Sequence, residues 1–440
     1  MNFQDFFTPQ LRAMLTEPTA PINEVLSLPY VARSARIGFP QLIDYFALHS
    51  REMLKFAFSQ PSPGENGNIS YNAYAILLMG DPKILTPVLQ DFSFRDVATE
   101  LLSDKNANPV MIGRLASITL NCLSNVNELA VESCGFIYKF LPHCGNPSVF
   151  NFFITICGDD PRVSPTQMWL NEMGFSEFVF REFNNIDVNY DPKDSKNIWK
   201  DPVFVRILCL YQLVTRCCTN QILRNHFRTP DIVAVLQKDV IHAPDYLKSA
   251  RWSAINAATC KETAVPLLKM IPNALQLLTE QFTSLKSYRV SALNFITNMM
   301  TLAPLTFDLL LQSSMPQMLV NLVLTFPNST ILHNSFLRFV QNGLLNEQFA
   351  LTIASVYTPI IIDCAIEGTN RILLPCCMEM MKLFNNAARD DRNIAQALHE
   401  TTGYDDFVKK NLKEYMRILD KPYGEDSATA LFHKMKNFFG

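Results

Sequence analysis

The strongest acidic pattern in the chain is Asp187-x-Asn189-x-Asp191, three oxygen donors at the first, third and fifth positions of a calcium loop. Such a loop needs glycine at its sixth position and a bidentate glutamate at its twelfth, where this chain has Pro192 and Ile198. The residues read as a solvated acidic loop. Cys134, His143, Cys144 and Cys157 offer zinc-type donors, but no pair of them has C-x2–4-C spacing. Cys134 and Cys157 also fall inside apolar segments, where a free thiol fills core. His399-Glu400 lacks the second histidine of a metalloprotease helix, because Gly403 stands at that position. Nucleophile elbows, glycine-rich phosphate loops and the kinase and deaminase residue sets are absent too. His226, His242, His333 and His433 stand singly, as structural or surface histidines do. The reading is of a non-enzyme, with no catalytic or metal-binding set and no cofactor.

What must position any functional surface is therefore a scaffold, and composition says which kind. The chain has 440 residues, 48% hydrophobic and 18% charged, with a formal net charge of −3. That is enough apolar matter for a sizeable core and too little charge for disorder. A broad nucleic-acid footprint needs clustered Lys and Arg, so nucleic acid is not an expected partner. Uninterrupted apolar runs such as Tyr74–Met79 and Ile360–Ile362 fall short of the ~18–20 residues of a membrane span. The N-terminal MNFQDFFTPQLRAML has no basic start followed by an apolar stretch, so no secretory signal is expected. Eleven cysteines without a framework spacing point to reduced thiols, hence a cytoplasmic protein with access to the nucleus as the alternative.

Fourteen glycines argue against α/β nucleotide folds, whose turns and phosphate loops need them. Twenty-six prolines instead punctuate the chain, among them Pro82, Pro109, Pro147, Pro161, Pro202, Pro230, Pro244, Pro304 and Pro327. Between them lie apolar segments of roughly 12–18 residues with helical period. In Asn328–Gly343 the polar Asn328-Ser329-Thr330 start can cap a helix and Leu332, Phe336, Phe339 and Val340 form its apolar stripe. Gly343 suits a left-handed C′ residue. In Ser287–Met300, Ser287 offers a cap, and Val290, Leu293, Ile296 and Met300 form one stripe beside a second made by Ala292, Phe295 and Met299. A helix apolar over two stripes must be covered on two sides, as an inner helix of a stack is. The spacing predicts an all-α solenoid of HEAT/armadillo-like repeats, each helix pair taking roughly 40–45 residues. One continuous domain over 1–440 is expected, with loops near 61–68 and 184–197 and a more polar capping helix at Phe407–Leu419.

The order of several blocks resembles the SAPS domain, shared by regulatory subunits of protein phosphatase 6 and their fungal counterparts. The blocks run from PQLRAMLTEPTAPINEVLSLPYVARSARIGFPQLIDYFA through YNAYAILLMGDPKILTPVL, NPVMIGRLASITLNCL and QMWLNEMGFSEFVFREF. They continue with SYRVSALNFITNMM, FPNSTILHNSFLRFV, RILLPCCMEMMKLFNNA and YDDFVKKNLKEYMRILDKPYG. The N-terminal segment is less acidic than is usual in that family, and the long polar C-terminal extension of many members is missing before Gly440.

The resemblance implies a non-catalytic subunit that binds a protein phosphatase 2A-like Ser/Thr catalytic chain and directs it to substrates, with room for a third regulatory subunit. Within the matching blocks, Arg289, Asn328, His333, Asn334, Arg371 and Asn385 interrupt or cap strongly apolar helices and are the expected partner-facing residues. Each also has a purely structural alternative, a cap for Asn328 and a helix-end complement for Arg371. The competing function for such a scaffold is an adaptor for another protein cargo in transport or trafficking.

Overall fold

The computed structural model describes residues 9–16, 20–59, 68–90, 93–104, 106–192, 197–280, 283–366 and 372–419, and among these it contains helices and no strand. The fold is all-α. Two compact units divide the chain, Met1–Ala258 and Thr259–Gly440.

In the first unit six helices between Pro9 and Leu77 are followed by sets of three. The sets are Pro82–Gln90, Ser93–Ser103 and Pro109–Asn125; then Asn127–Ser133, Ile137–His143 and Pro147–Ile156. Next come Ser164–Glu172, Phe175–Asn184 and Pro202–Thr219; then Arg224–Phe227, Pro230–Leu236 and Asp245–Ala258. The third helix of each set packs on the third helix of the next, and the second helices do the same. This is the helical-repeat packing of armadillo arrays, in which a repeat buries its apolar face only against its neighbours.

The second unit repeats the scheme. Third helices Ser287–Leu302, Thr330–Gly343 and Leu374–Asp390 pack in succession, and their starts are spaced by roughly 43–44 residues. Ile271–Thr279 packs on Met315–Thr325, which packs on Glu347–Ile366. That last helix, 20 residues long, also contacts Leu305–Leu311 and so fills the first and second positions of its repeat together. The two stripes expected on Ser287–Leu302 are both buried, with Leu293, Ile296, Ala292, Phe295 and Met299 fully inaccessible. Each such large side chain contributes about 1.5–3 kcal/mol by leaving water.

Prolines start helices as expected: Pro40, Pro109, Pro147, Pro202 and Pro230 each occupy the first turn, where the missing N–H costs nothing. Several are preceded by Asx caps, for Asn108, Asn146 and Asp201 accept from Val110, Ser148 and Val203 N–H, each at 2.9 Å. Pro87, Pro266 and Pro359 lie inside helices instead.

Four expectations need correction. Gly343 is not a left-handed cap; it is the last residue of its helix, and a Cβ there would meet Ile353 Cδ1 at 2.8 Å and Phe349 Cε1 at 3.1 Å. The residue is small because the next helix lies against it. Ser287 is the first helical residue, with Lys286 in the cap position and no side-chain cap bond. The C-terminal element is helical over Tyr404–Leu419 and is interrupted by a π turn at Val408–Leu412. Counting uninterrupted apolar runs also missed two helices long and apolar enough to cross a membrane, Pro202–Thr219 and Glu347–Ala365. Half of the first and 44% of the second are buried inside the protein, against Asp245–Ala258 and Leu374–Asp390 among others, as core helices of a stack are.

Of the two expected loops, residues 61–67 lie outside the described residues. Residues 185–192 are non-helical and lie between the second and third helices of the third set. There Asp187 Oδ1 accepts from Asn189 N–H at 2.9 Å, and Tyr190 OH donates to Asp201 Oδ2 at 2.8 Å. Within the acidic pattern Asp187 thus serves a turn, and the neighbouring Tyr190 ties that turn to the capping Asp201.

Candidate functional site

Arg289, the most conspicuous of the expected partner residues, is only 4% exposed. Its Nη1 donates to the carbonyls of Leu277 and, at 3.2 Å, Glu280, and Nη2 lies 3.6 Å from Glu280 Oε2. Those carbonyls belong to the end of Ile271–Thr279, where the last C=O groups of a helix lack internal partners. Arg289 therefore sews the third helix of its repeat to the end of the second and does not face outward. Arg251 does the same one repeat earlier. Its Nε and Nη2 each donate at 2.9 Å, to Leu236 and Gln237 carbonyls, and Nη1 pairs with Asp239 at 2.8 Å. Earlier in the chain Arg206 pairs with Glu182, again joining a third helix to the second of its set.

His333 is also turned inward, 8% exposed. It hydrogen-bonds the Phe326 backbone, its Nε2 is buried with no hydrogen-bond partner, and burial pulls its pKa below 6.5. A protonated Nε2 would bury an unsatisfied N–H, so burial favours the neutral ring. Asn328 and Asn334 are exposed, the former in the turn before the helix. Ser329, not Asn328, caps Thr330–Gly343, its hydroxyl accepting from Leu332 N–H at 3.3 Å. Asn385 is half-buried and accepts from Tyr404 OH at 3.3 Å. Arg371 lies outside the described residues. The structure thus splits the set: two residues turn inward, two stand on the surface of one repeat, and Asn385 borders a groove near the C-terminal helix.

That groove was not read from the sequence. Its cations, Lys382, Arg389, Lys413 and Arg417, are spread over two helices, and the run FVKKNLKEYMRIL reads by itself as a polar cap. The i, i+4, i+8 spacing of Lys409, Lys413 and Arg417 beside Val408, Leu412 and Met416 was the available signal.

The remaining chemistry is quiet. Among the described residues no three His, Cys, Asp or Glu side chains are grouped to hold a metal ion. Cys134, Cys144 and Cys157 are buried, and burial pushes the Cys134 and Cys144 thiols up. Cys122 and Cys376 are pushed up to about 12 and Cys209 to about 11, again by burial. Nucleophilic attack and metal binding need the thiolate, which these sites suppress.

No family model matches the chain, and no curated protein matches it. Among solved structures, a crystal structure of an engineered protein is similar at 11% sequence identity and a TM-score of 0.48, covering 96% of this chain and 100% of that one.

Proposed function

We propose that this chain is a non-catalytic regulatory subunit, a helical-repeat scaffold that holds the catalytic chain of a protein phosphatase 6- or 2A-type Ser/Thr phosphatase and directs it to substrates. One observation supports the reading above others. The blocks SYRVSALNFITNMM, FPNSTILHNSFLRFV and RILLPCCMEMMKLFNNA, which resemble the SAPS domain in order, have their parts from Ser287, Thr330 and Leu374 onward on equivalent third helices of three successive repeats. A repeat stack offers an extended surface for another protein. Holding enzyme and substrate on one scaffold raises their effective concentration without altering the chemistry, which stays with the partner and its metals. Cytoplasm and nucleus are the compartments of such a subunit.

Affinity purification of the tagged full chain from its own cells, with mass spectrometry and a phosphopeptide hydrolysis assay on the eluate, tests this. A phosphatase catalytic chain with okadaic-acid-sensitive activity is expected. Recovery of coat or cargo proteins with no phosphatase would establish the transport-adaptor function instead. Because Arg289 is buried, the surface variant is Asn328→Arg with Asn334→Arg, which is expected to weaken phosphatase recovery while the protein keeps its unfolding midpoint.

A further inference from the structure

The C-terminal helix and Leu374–Asp390 enclose an open groove of about 550 Å³, continuous with a second of about 280 Å³ through Asn385, Arg389, Val408 and Lys413. The larger groove has four cationic side chains, Lys382, Arg389, Lys413 and Arg417, and no carboxylate among its lining residues. Its apolar part is the stripe Val408, Leu412 and Met416. Lys382 and Arg417 have acidic neighbours, Glu379 at 3.5 Å and Glu414 at 2.7 Å. Arg389 and Lys413 are exposed and have no ion-pair partner among the described residues. The lining of the larger groove is thus net cationic in a chain of net charge −3, and the smaller groove adds Lys409 and one carboxylate, Asp405, which lies 2.8 Å from His399 Nδ1.

The walls are tied at both ends. Tyr415 OH donates to Glu379 Oε1 at 2.9 Å and Tyr404 OH to Asn385 Oδ1 at 3.3 Å. Between these ties Val408–Leu412 forms the π turn, a local widening that occurs often at functional sites. A groove held open in this way costs a ligand little reorganisation.

We infer that this groove docks an acidic peptide segment of a partner protein, with one apolar side chain seated on Val408, Leu412 and Met416 and carboxylates flanking it toward Arg389 and Lys413. The cations stand along two helices at either side of an apolar floor, which suits an extended chain with spaced charges. A single phosphate would want convergent donors. Single-stranded nucleic acid would want aromatic platforms, and the larger groove is lined by none. This inference is independent of which catalytic chain, if any, the protein holds.

The test is an array of short synthetic peptides, each with two Asp or Glu residues on both sides of one Leu or Phe, probed with the labelled full chain. Matched arrays carry Asn and Gln in place of the acids, or a phosphoserine among neutral residues. Acidic peptides are expected to be retained at least about tenfold better than their neutral counterparts, with affinity falling as salt rises. Arg389→Glu with Lys413→Glu, both surface positions, should lose about tenfold or more while far-UV dichroism is unchanged. Arg389→Ala with Lys413→Ala gives the same comparison should charge reversal unfold the chain, and Met416→Asp probes the floor. Equal retention of acidic and neutral peptides overturns the proposal, as does unchanged affinity in the folded variants. Retention of phosphopeptides alone, without carboxylate peptides, overturns it as well.

Discussion

A guanidinium removed from water must find acceptors for its donors, and the ends of helices are where acceptors go unused. Arg251 does so with Nε and Nη2, and Arg289 with Nη1, each donating to the last carbonyls of the preceding helix. Each is therefore worth more to the stack than a surface ion pair, because its guanidinium is itself buried and its removal takes a donor from helix-end carbonyls. Arg289→Met is expected to lower stability by about 2–4 kcal/mol in urea unfolding; a loss within error of zero would show that the clamp contributes nothing. Sequence order singled out Arg289 correctly as unusual in an apolar helix. The direction it points depends on where Leu277 and Glu280 end up, which is tertiary information that spacing along one helix does not carry. His333 raises the same difficulty and has a pH signature. Its folded pKa lies below the unfolded 6.5, so stability is full above 6.5 and falls as pH drops from there toward the folded value. His333→Asn, which keeps a donor for the Phe326 carbonyl, should flatten part of the stability loss below pH 6.5, measured as the difference in urea midpoint between variant and parent. An unchanged slope would mean that His333 takes the proton freely in the folded state.

Among elements, the recurrent Asx-Pro start explains how helices with little intrinsic punctuation by glycine begin where they do. Proline presets the first turn and the Asx oxygen accepts the next free N–H. Asn146 adds a connection between repeats, since its Nδ2 donates to the Pro109 carbonyl at 2.7 Å while its Oδ1 caps Pro147–Ile156. The starts of two successive third helices are thus fixed to each other. Asn146→Ala should cost about 1–2 kcal/mol, and Asn146→Asp should recover the cap but not the bond to Pro109, giving an intermediate unfolding midpoint. If the aspartate variant matches the parent, the bridge between repeats is worth nothing. Proline positions and apolar stripes were legible because both are local. The assignment of Ser329 over Asn328 as cap was not, since either neighbour satisfies the composition rule and only backbone geometry chooses. The double cover of Ser287–Leu302 was legible in its two apolar stripes, although the grouping of helices into threes appears only when their packing partners are known.

For the whole chain, all-α packing in repeats could be read from scarce glycine, abundant proline and helical period, because a repeat stack asks only that apolar spacing recur. The same tolerance hides the C-terminal groove, which depends on two helices meeting and leaves no mark on the period of either. Packing that is strongest between neighbouring repeats within each unit also has an energetic consequence: a repeat stack sums its stability locally, so unfolding need not be a single transition. The tryptophans make this measurable. Trp169, Trp199 and Trp252 all belong to the unit Met1–Ala258, whereas Gly343 belongs to Thr259–Gly440. Gly343→Ala forces a methyl against Ile353 and Phe349, an overpacking cost of about 1–3 kcal/mol. Tryptophan emission should therefore keep its urea midpoint in this variant, while far-UV dichroism, which reports helices of both units, gains an earlier component. A parallel shift of both signals would instead mean that the two units unfold as one cooperative body, and the local summation of stability would not hold for this protein.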